Sequence, residues 1–348
     1  MAKVLPKSDE FYTRYSDIES EIEAYLSVDS TIFEGKRVLL PTDSLESNIF
    51  KYFRSNFQRQ RIYRLDAIEY NQHGGHGRVR YVKTNPEGID SLSTRLLSQD
   101  GGYLSDEVWA LRDKSDVIIT NPPFSRLRTF LPWVLESEKK FSILVPLDTI
   151  TNSWAWKAVQ NGTAWTGYHD STHDMFFDVP DSYREKMLTD GSKHVHWREI
   201  DGKPMRRIGR LCWFTNFETP KSKELPEFNT LAWNMVNNNK FIKVQTEKYD
   251  SSKYMKYDNF DALDIPVISA IPTDYEGIMG VPMSILDYPF KEKFNLIGIL
   301  RNGTPNKYYG VYTGTNTRLK DKRGIPYSCN APIIDGKPTF ARVLIEWK

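Results

Sequence analysis

The chain has 348 residues, with 47 lysines and arginines against 45 aspartates and glutamates and 39% hydrophobic side chains. That length and balance support one large or two ordinary folded domains, and exclude a disordered or polycationic chain. The only cysteines, Cys212 and Cys329, have no metal or redox spacing, and no segment has the apolar length of a signal core or a membrane span; a soluble, cytoplasmic protein is expected.

Residues 8–26 predict an amphipathic helix, with Phe11, Tyr15, Ile18, Ile22 and Tyr25 or Leu26 on one stripe. Arg37 to Pro41 is the first buried strand. Asp43 and Ser44 follow as capping candidates for a helix whose apolar face is Ile49, Phe50, Tyr52 and Phe53. This strand–turn–helix entry has an acid at its turn, suited to a cofactor ammonium or ribose, and lacks any Gly-x-Gly. Arg59 to Leu65 predicts the second strand, which would put Asp66 near its end, either as a solvated turn aspartate, the commoner case, or as a ribose-binding acid. Residues 71–90 predict a loop or hairpin with the alternating Arg78 to Val82 and the turn Asn85-Pro-Glu-Gly88. Asp100-Gly-Gly-Tyr103 predicts a turn before a helix through Val108, Trp109 and Leu111.

Asp116-Val-Ile-Ile-Thr-Asn-Pro-Pro-Phe124 is the most informative stretch. Val117 to Thr120 are β-branched and read as a buried parallel strand. Pro122 and Pro123 end it, since neither can donate to a ladder and each biases its predecessor out of the helical region. A helix then starts near Ser125, with Leu127, Phe130, Leu131 and Val134 at helical spacing, and Phe141 to Val145 predicts the next strand. A polar amide, two rigid prolines and an aromatic thus sit at the carboxyl end of a strand, where open α/β sheets bind ligands.

That arrangement suits methyl transfer to a planar amine. The lone pair of such an amine is delocalised into its ring. Two acceptors against its hydrogens, Asn121 Oδ1 and the Pro122 carbonyl, would direct the lone pair at an electrophile and stabilise developing positive charge. Phe124 offers a stacking face worth roughly 1–3 kcal/mol, comparable to the cost of extruding a base from a duplex. The residues alone leave the acceptor open: adenine in DNA, adenine in RNA, glutamine in protein, or a DNA-binding homologue that has lost transfer.

Beyond residue 150 the periodicity weakens. His169 and His173, and His194 and His196, have no partners that complete a metal site, nor do His73 and His76. Arg206, Arg207 and Arg210 precede a strand-like Leu211 to Asn216, a basic run beside aromatics that suits a nucleic acid. Residues 121–348 carry 31 basic and 26 acidic side chains against 16 and 19 in residues 1–120, a mild basic bias after the motif. Residues 219–262 predict an irregular excursion, Ile265 to Ile271 and Phe294 to Leu300 strands, Arg318 to Arg323 a basic loop, and Phe340 to Trp347 a last strand.

Taken together, the sequence resembles the EcoRI-type adenine-specific DNA methyltransferases nearly end to end. The similarity is carried by Glu10-Phe-Tyr-Thr13, Ser16-Asp-Ile-Glu19, Gly35-Lys36, Ser47-Asn-Ile-Phe-Lys-Tyr-Phe53 and Thr120-Asn-Pro-Pro-Phe-Ser125. It continues through Lys140-Phe141, Trp213-Phe-Thr-Asn216, Tyr257-Asp-Asn-Phe-Asp261, Met279-Gly-Val-Pro-Met283 and Asp335-Gly-Lys337. Asn-Pro-Pro-Phe is shared by many amino-methyltransferases; its combination with Trp-Phe-Thr-Asn and Met-Gly-Val-Pro is far more specific.

The resemblance implies an α/β fold: a Rossmann-like S-adenosylmethionine-dependent methyltransferase core with an irregular α+β target-recognition region. The cofactor-binding and catalytic core would occupy residues 1–150, and residues 151–348 would interleave the remaining core strands with target recognition. Asn121, Pro122, Pro123 and Phe124 would hold a flipped adenine for N6 methylation. Tyr12, Thr13, Pro41, Asp43, Ser47, Asn48, Asp66, Asp100 and Asn121 would line S-adenosylmethionine, with Gly102 standing where the family commonly has an acid. Trp213, Phe214, Arg206, Arg207 and Arg210 would face base or DNA, and no metal is implied. The expected partner is double-stranded DNA, bound by a monomer of bacterial or phage origin, with room for a cognate restriction endonuclease that forms no stable complex with it.

Overall fold

The computed structural model describes residues 12–84, 90–179, 181–190, 196–221, 223–321 and 323–348. Phe11, the turn at 85–88 and His194 lie outside these described residues. The chain divides into two compact units, Met1–Thr149 with Ala164–Pro220 and Ile150–Thr163 with Lys221–Lys348.

The first unit opens with β1 (Tyr12–Thr13) and α1 (Tyr15–Val28), so the first helix starts at Tyr15, later than the apolar stripe alone predicted. Strand β2 (Arg37–Leu40), α2 (Asn48–Ser55), β3 (Arg64–Glu69), β4 (Arg78–Thr84), β5 (Asp90–Leu96), α3 (Asp106–Asp113) and β6 (Val117–Thr120) follow. Next come α4 (Leu127–Leu135), β7 (Lys140–Pro146), α5 (Ser153–Gln160, which belongs to the second unit), β8 (Trp165–Thr166), β9 (Met175–Asp178), α6 (Asp181–Asp190), β10 (Trp197–Ile200), β11 (Lys203–Ile208) and β12 (Leu211–Thr215).

Eight strands form one sheet in the order β5-β4-β3-β2-β6-β7-β12-β8. The central β3, β2, β6 and β7 are parallel. Their buried runs, such as Val38–Leu40 and Val117–Thr120, are what a sheet covered on both faces requires. The second strand begins five residues later than Arg59 and runs to Glu69, because Arg59 to Arg61 close the turn after α2, with Arg61 at φ 50°. The alternating Arg78–Thr84 pairs antiparallel with β3 and with β5, so the expected hairpin extends the main sheet.

A second sheet, β1-β9-β11-β10, is antiparallel throughout and places β1 at its edge beside β9. Ile18, Ile22 and Tyr25 of α1, the α2 face Ile49, Phe50, Tyr52 and Phe53, and Phe177 and Trp213 share one core. Buried Glu21 bolts α1 to the loop after β8: its carboxylate accepts from Tyr25 Oη (2.6 Å) and from the backbone amides of Tyr168 and His169 (both 2.8 Å).

The second unit is built on α7 (Leu231–Asn237) and α8 (Asn239–Tyr249), which replace the irregular excursion expected there. Asn238 caps the second of these by accepting from Phe241 N, and Thr230 caps the first. Then follow β13 (Met255–Lys256), β14 (Leu263–Asp264), β15 (Met279–Val281), β16 (Phe294–Leu300), β17 (Val311–Tyr312), β18 (Thr317–Lys320), β19 (Pro326–Cys329), β20 (Ile333–Ile334), β21 (Lys337–Pro338) and β22 (Arg342–Trp347). A mixed sheet runs β13-β14-β15-β22-β16-β17. The strand expected at Ile265 to Ile271 is instead an extended segment ending in a 3-10 turn at Ile268–Ala270. One of the resemblance-bearing motifs, Tyr257 to Asp261, is scaffolding here. Asn259 spans the unit with Nδ2 on the Ala331 carbonyl (2.8 Å) and Oδ1 on Ile333 N (3.0 Å), and Tyr257 Oη donates to buried Asp264 (2.6 Å).

Candidate active site

Strand β2 is hydrogen-bonded to β3 on one side and to β6 on the other. From β2 the chain goes on to β3 on one side, and from β6 to β7 on the other, the kind of strand-order reversal at which open α/β sheets bind ligands. Pro41 to Asp43 rise from β2, and Asn121 to Phe124 rise from β6.

Asp43 ties the two exits together. It is 5% exposed, yet its carboxylate accepts from Thr120 Oγ1 (2.6 Å), from Ser47 Oγ (2.7 Å) and from the backbone amide of Asn121. Thr42 and Thr120 also join hydroxyl to hydroxyl across the crevice floor. Burial pushes the Asp43 carboxyl up to about 6, and the three donated hydrogen bonds hold it from rising further. The Ser47 hydroxyl accepts from Ile49 N (3.1 Å) and so caps α2; the cap is Ser47, and not Asp43 or Ser44.

Strand β1 closes the site from the other side. Asn48 Nδ2 donates to the Thr13 carbonyl (2.9 Å) and Asn121 Nδ2 donates to Thr13 Oγ1 (3.2 Å). With Nδ2 on Thr13, Oδ1 occupies the other corner of the same planar Asn121 amide. Pro122 is buried and Pro123 sits at φ −57°, ψ 119°, its carbonyl committed to Arg126 N (2.9 Å). Phe124 opens a 3-10 turn that runs into α4, half-exposed and resting against the core. Tyr12, Thr13, Pro41, Asp43, Ser47, Asn48 and Asn121 are therefore brought into one neighbourhood.

Other expected residues are placed differently. Asp66 lies in the first half of β3, 1% exposed and clamped by Arg37 Nε (2.8 Å) and Arg64 Nη2 (2.8 Å). It is not at the strand's end, as the misplaced strand boundary had implied, and its carboxylate already serves two guanidinium groups. The acid at that end is Glu69, a residue the sequence reading passed over and which pairs with Arg80 Nε at 3.1 Å. Asp100 sits by the loop after Glu69, where its backbone carbonyl accepts from Asn71 N (2.8 Å) and its Oδ1 accepts from Gly102 N (2.8 Å). A Cβ on Gly102 would lie 3.1 Å from Asp100 Oδ1 and 3.7 Å from the exposed Tyr70 ring, so the Asp100 carboxylate reaches over that position.

Trp213 and Phe214 are fully buried, 0% exposed, in β12, paired across to Leu144 and Ile143. They support the sheet and do not face a base or DNA as expected, because their strand lies inside the sheet between β7 and β8 and both side chains are covered. The arginines divide by strand alternation and loop position. Arg207 is paired with Asp174, Arg206 has its Nε buried without a partner among the described residues, and Arg210, at φ 57°, reaches Asp148 at 3.2 Å. Beside them, Phe176 lies between the Arg14 guanidinium (5.8 Å) and that of Arg198 (5.7 Å), a cationic and aromatic cluster on the sheet that contains β1. Among the described residues no group of His, Cys, Asp and Glu is placed to hold a metal, and no helix is long and apolar enough to cross a membrane.

The family described as adenine-specific methyltransferase EcoRI matches residues 2–348. Type II methyltransferase M.EcoRI of Escherichia coli is 33% identical over 319 residues, covering 86% of this chain and 88% of that protein. Type II methyltransferase M.MpnI of Mycoplasma pneumoniae is 28% identical over 343 residues, covering 98% and 95%. No solved structure matches. The chain belongs to the adenine-specific EcoRI methyltransferase family and is a site-specific DNA adenine methyltransferase.

Proposed function

We propose that this enzyme transfers a methyl group from S-adenosylmethionine to N6 of an adenine turned out of the duplex, on a Rossmann-like core whose switch point is the β2–β6 crevice. The observation that carries the reading is the convergence of Thr13, Asp43, Ser47 and Asn48 on the Asn-Pro-Pro-Phe exit of β6. The donor set fits the cofactor. Hydroxyl and amide groups of Thr13 and Asn48 suit its amino-acid end, and Glu69 and Asp100, with the open face of Tyr70, suit a ribose and its base. S-adenosylmethionine supplies a methyl group on a sulfonium, an electrophile that needs no activation by the protein.

The chain's work is therefore positioning and charge stabilisation. Asn121 Oδ1 and the Pro122 carbonyl accept the two N6 hydrogens, which turns the amine lone pair toward the methyl group. Positive charge then grows on N6 against two fixed dipoles. Pro122 and Pro123 fix one of them by their rings; Thr13 Oγ1 orients the other through the Asn121 side-chain amide, while Asp43 holds the Asn121 backbone N–H. Phe124 stacks on the extruded base. The N6 proton is released to solvent after transfer, so no general base is required.

The test is transfer of labelled methyl from S-adenosylmethionine to mixed-sequence duplex DNA, with nucleoside analysis. The expected product is N6-methyladenine, absent with Asn121→Ala. Label appearing only in RNA or protein would overturn the acceptor, and no label with no cofactor binding would overturn the reading altogether.

A further inference from the structure

Of the run Arg318 to Arg323, which read as a basic loop, Arg318 to Lys320 lie in one strand of a two-stranded ribbon, and Asp321 and Arg323 lie at its turn. Among the described residues, strands β18 and β19 pair only with each other, in the register Thr317↔Cys329, Arg318↔Ser328, Leu319↔Tyr327 and Lys320↔Pro326. Alternation puts Arg318 and Lys320 with Ser328 on one face, and Leu319 with Tyr327 on the other. Arg318, Lys320, Pro326, Tyr327 and Ser328 are all exposed, so both faces of the ribbon are open along most of its length.

An isolated two-stranded hairpin is only marginally stable in water. This one is nevertheless stiffened at both ends. At the root, Asn330 is bonded both ways to Gly303, by Nδ2 to its carbonyl (2.7 Å) and Oδ1 to its amide (3.0 Å). At the tip, Asp321 Oδ1 accepts from the amides of Arg323 and Ile325 (both 2.9 Å), and Gly324 turns at φ +78°. Beyond that turn Ile325 is half-exposed and Arg323 largely exposed. A ribbon that merely discouraged edge pairing would carry charge alone. Here a branched apolar side chain and a tyrosine are held in solvent beside the cations, on a rigid support.

We propose that the ribbon 317–329 is the element that reads the DNA target, entering the major groove with Arg318 and Lys320 at base edges and Ile325 at the tip. This rests on the proposal that the substrate is duplex DNA. The B-form major groove is about 12 Å wide and admits a two-stranded β-ribbon; arginine or lysine there pairs with guanine O6 and N7, and an apolar group meets the thymine methyl. Charge complementarity with the phosphates brings the cationic face in, and the apolar tip distinguishes reading from mere attraction.

The test compares wild type with Arg318→Ala, Lys320→Ala and Ile325→Ser. The sites methylated across a bacterial genomic DNA are mapped, DNA affinity is titrated against salt, and S-adenosylmethionine binding is the control. All three positions are exposed, so the variants should unfold at the wild-type temperature. Expected are a loss of about ten- to a hundred-fold in affinity for the mapped site with Arg318→Ala and a motif relaxed at one position, with cofactor binding unchanged. An unchanged motif in all three variants, or an equal loss on mapped and random DNA, overturns the reading role. Wild-type protein that methylates no DNA at all would instead remove the parent reading, and this inference with it.

Discussion

Asn121 donates its side-chain amide to the hydroxyl of Thr13, a residue 108 positions earlier, and the 3.2 Å bond links the Asn-Pro-Pro-Phe turn to the edge strand of a different sheet. Thr13 is 3% exposed, so this contact is an inner strut and not a rim interaction. An amide has two faces of opposite hydrogen-bonding sense, and only one of them can serve the base. Thr13 sets which.

Two variants separate the strut from the acceptor. Asn121→Ala should lower turnover by about two to three orders of magnitude, as loss of one preorganised contact to developing charge does. Thr13→Val should cost about tenfold, the worth of one neutral hydrogen bond, with Thr13→Ser close to wild type. Single-turnover rates with saturating DNA and cofactor give the comparison. A Thr13→Val enzyme with unaltered rate would mean that the amide is oriented from elsewhere.

Asp43 predicts a pH dependence of definite sign. Burial raises its folded-state carboxyl from 3.8 to about 6. Between about pH 4 and 6 the folded protein holds a proton that the unfolded chain has released, so Asp43's contribution to stability falls as pH rises through that window and is level above it. Activity should move the other way, because the carboxylate that grips Thr120, Ser47 and the Asn121 amide is complete only above about pH 6. Wild type should show an acid limb in turnover near pH 6, and Asp43→Asn should lack that limb at a lowered plateau. Urea midpoints measured from pH 4 to 7 should decline in wild type more than in the variant. Identical slopes in both proteins would detach Asp43 from the titration.

Gly167 is a glycine by necessity of packing. A Cβ there would collide with the Glu21 carboxylate and come within 3.0 Å of Trp213 Cβ, both buried. Gly167→Ala should destabilise by about 1–3 kcal/mol, the usual cost of overpacking. Glu21→Gln should also destabilise, because its single amide oxygen can replace only one of the two carboxylate oxygens that accept from Tyr168 and His169, and its NH2 cannot accept from the other. Thermal denaturation checks both. A Gly167→Ala protein melting with wild type would show that the helix and loop can part without cost.

What the sequence revealed about this site follows from which interactions are local. Val117 to Phe124 carried its own meaning: β-branched residues, then two prolines, leave few conformations, and strand, exit and following helix are where they were expected. The Ile49, Phe50, Tyr52 and Phe53 face was equally legible, since a helical stripe is a short-range pattern. Asp66 was misjudged because the strand boundary was, and Arg64 with Arg37 then explained its charge. Trp213 and Phe214 read as surface aromatics beside a basic run, when only the pairing with β7 shows them covered. The helices at 231–249 were hidden by a lysine- and asparagine-rich composition; they rest on two caps, on buried Phe241 against the Tyr254 ring (4.3 Å), and on buried Gln245, which donates to the Lys253 carbonyl (2.5 Å). Thr13 to Asn121 is of the same kind, a contact that no spacing rule encodes.

The two acids of β3 give the last prediction, and it sets structure against chemistry within a single strand. Asp66 neutralises Arg37 and Arg64, whose side chains are only 18% and 23% exposed, so Asp66→Ala strands two half-buried cations. The expected cost is about 3 kcal/mol in unfolding free energy, with S-adenosylmethionine affinity unchanged in the protein that remains folded. Glu69 stands at the carboxyl end of the same strand, 22% exposed and beside the Asp100 loop. Glu69→Gln should leave the unfolding midpoint near wild type and weaken cofactor binding by about tenfold, the worth of a charge-assisted hydrogen bond to a ribose hydroxyl. Chemical denaturation paired with calorimetric titration resolves the two. Cofactor affinity lost with Asp66→Ala and kept with Glu69→Gln would return the ribose to the earlier acid, and would require Arg37 to release it on binding.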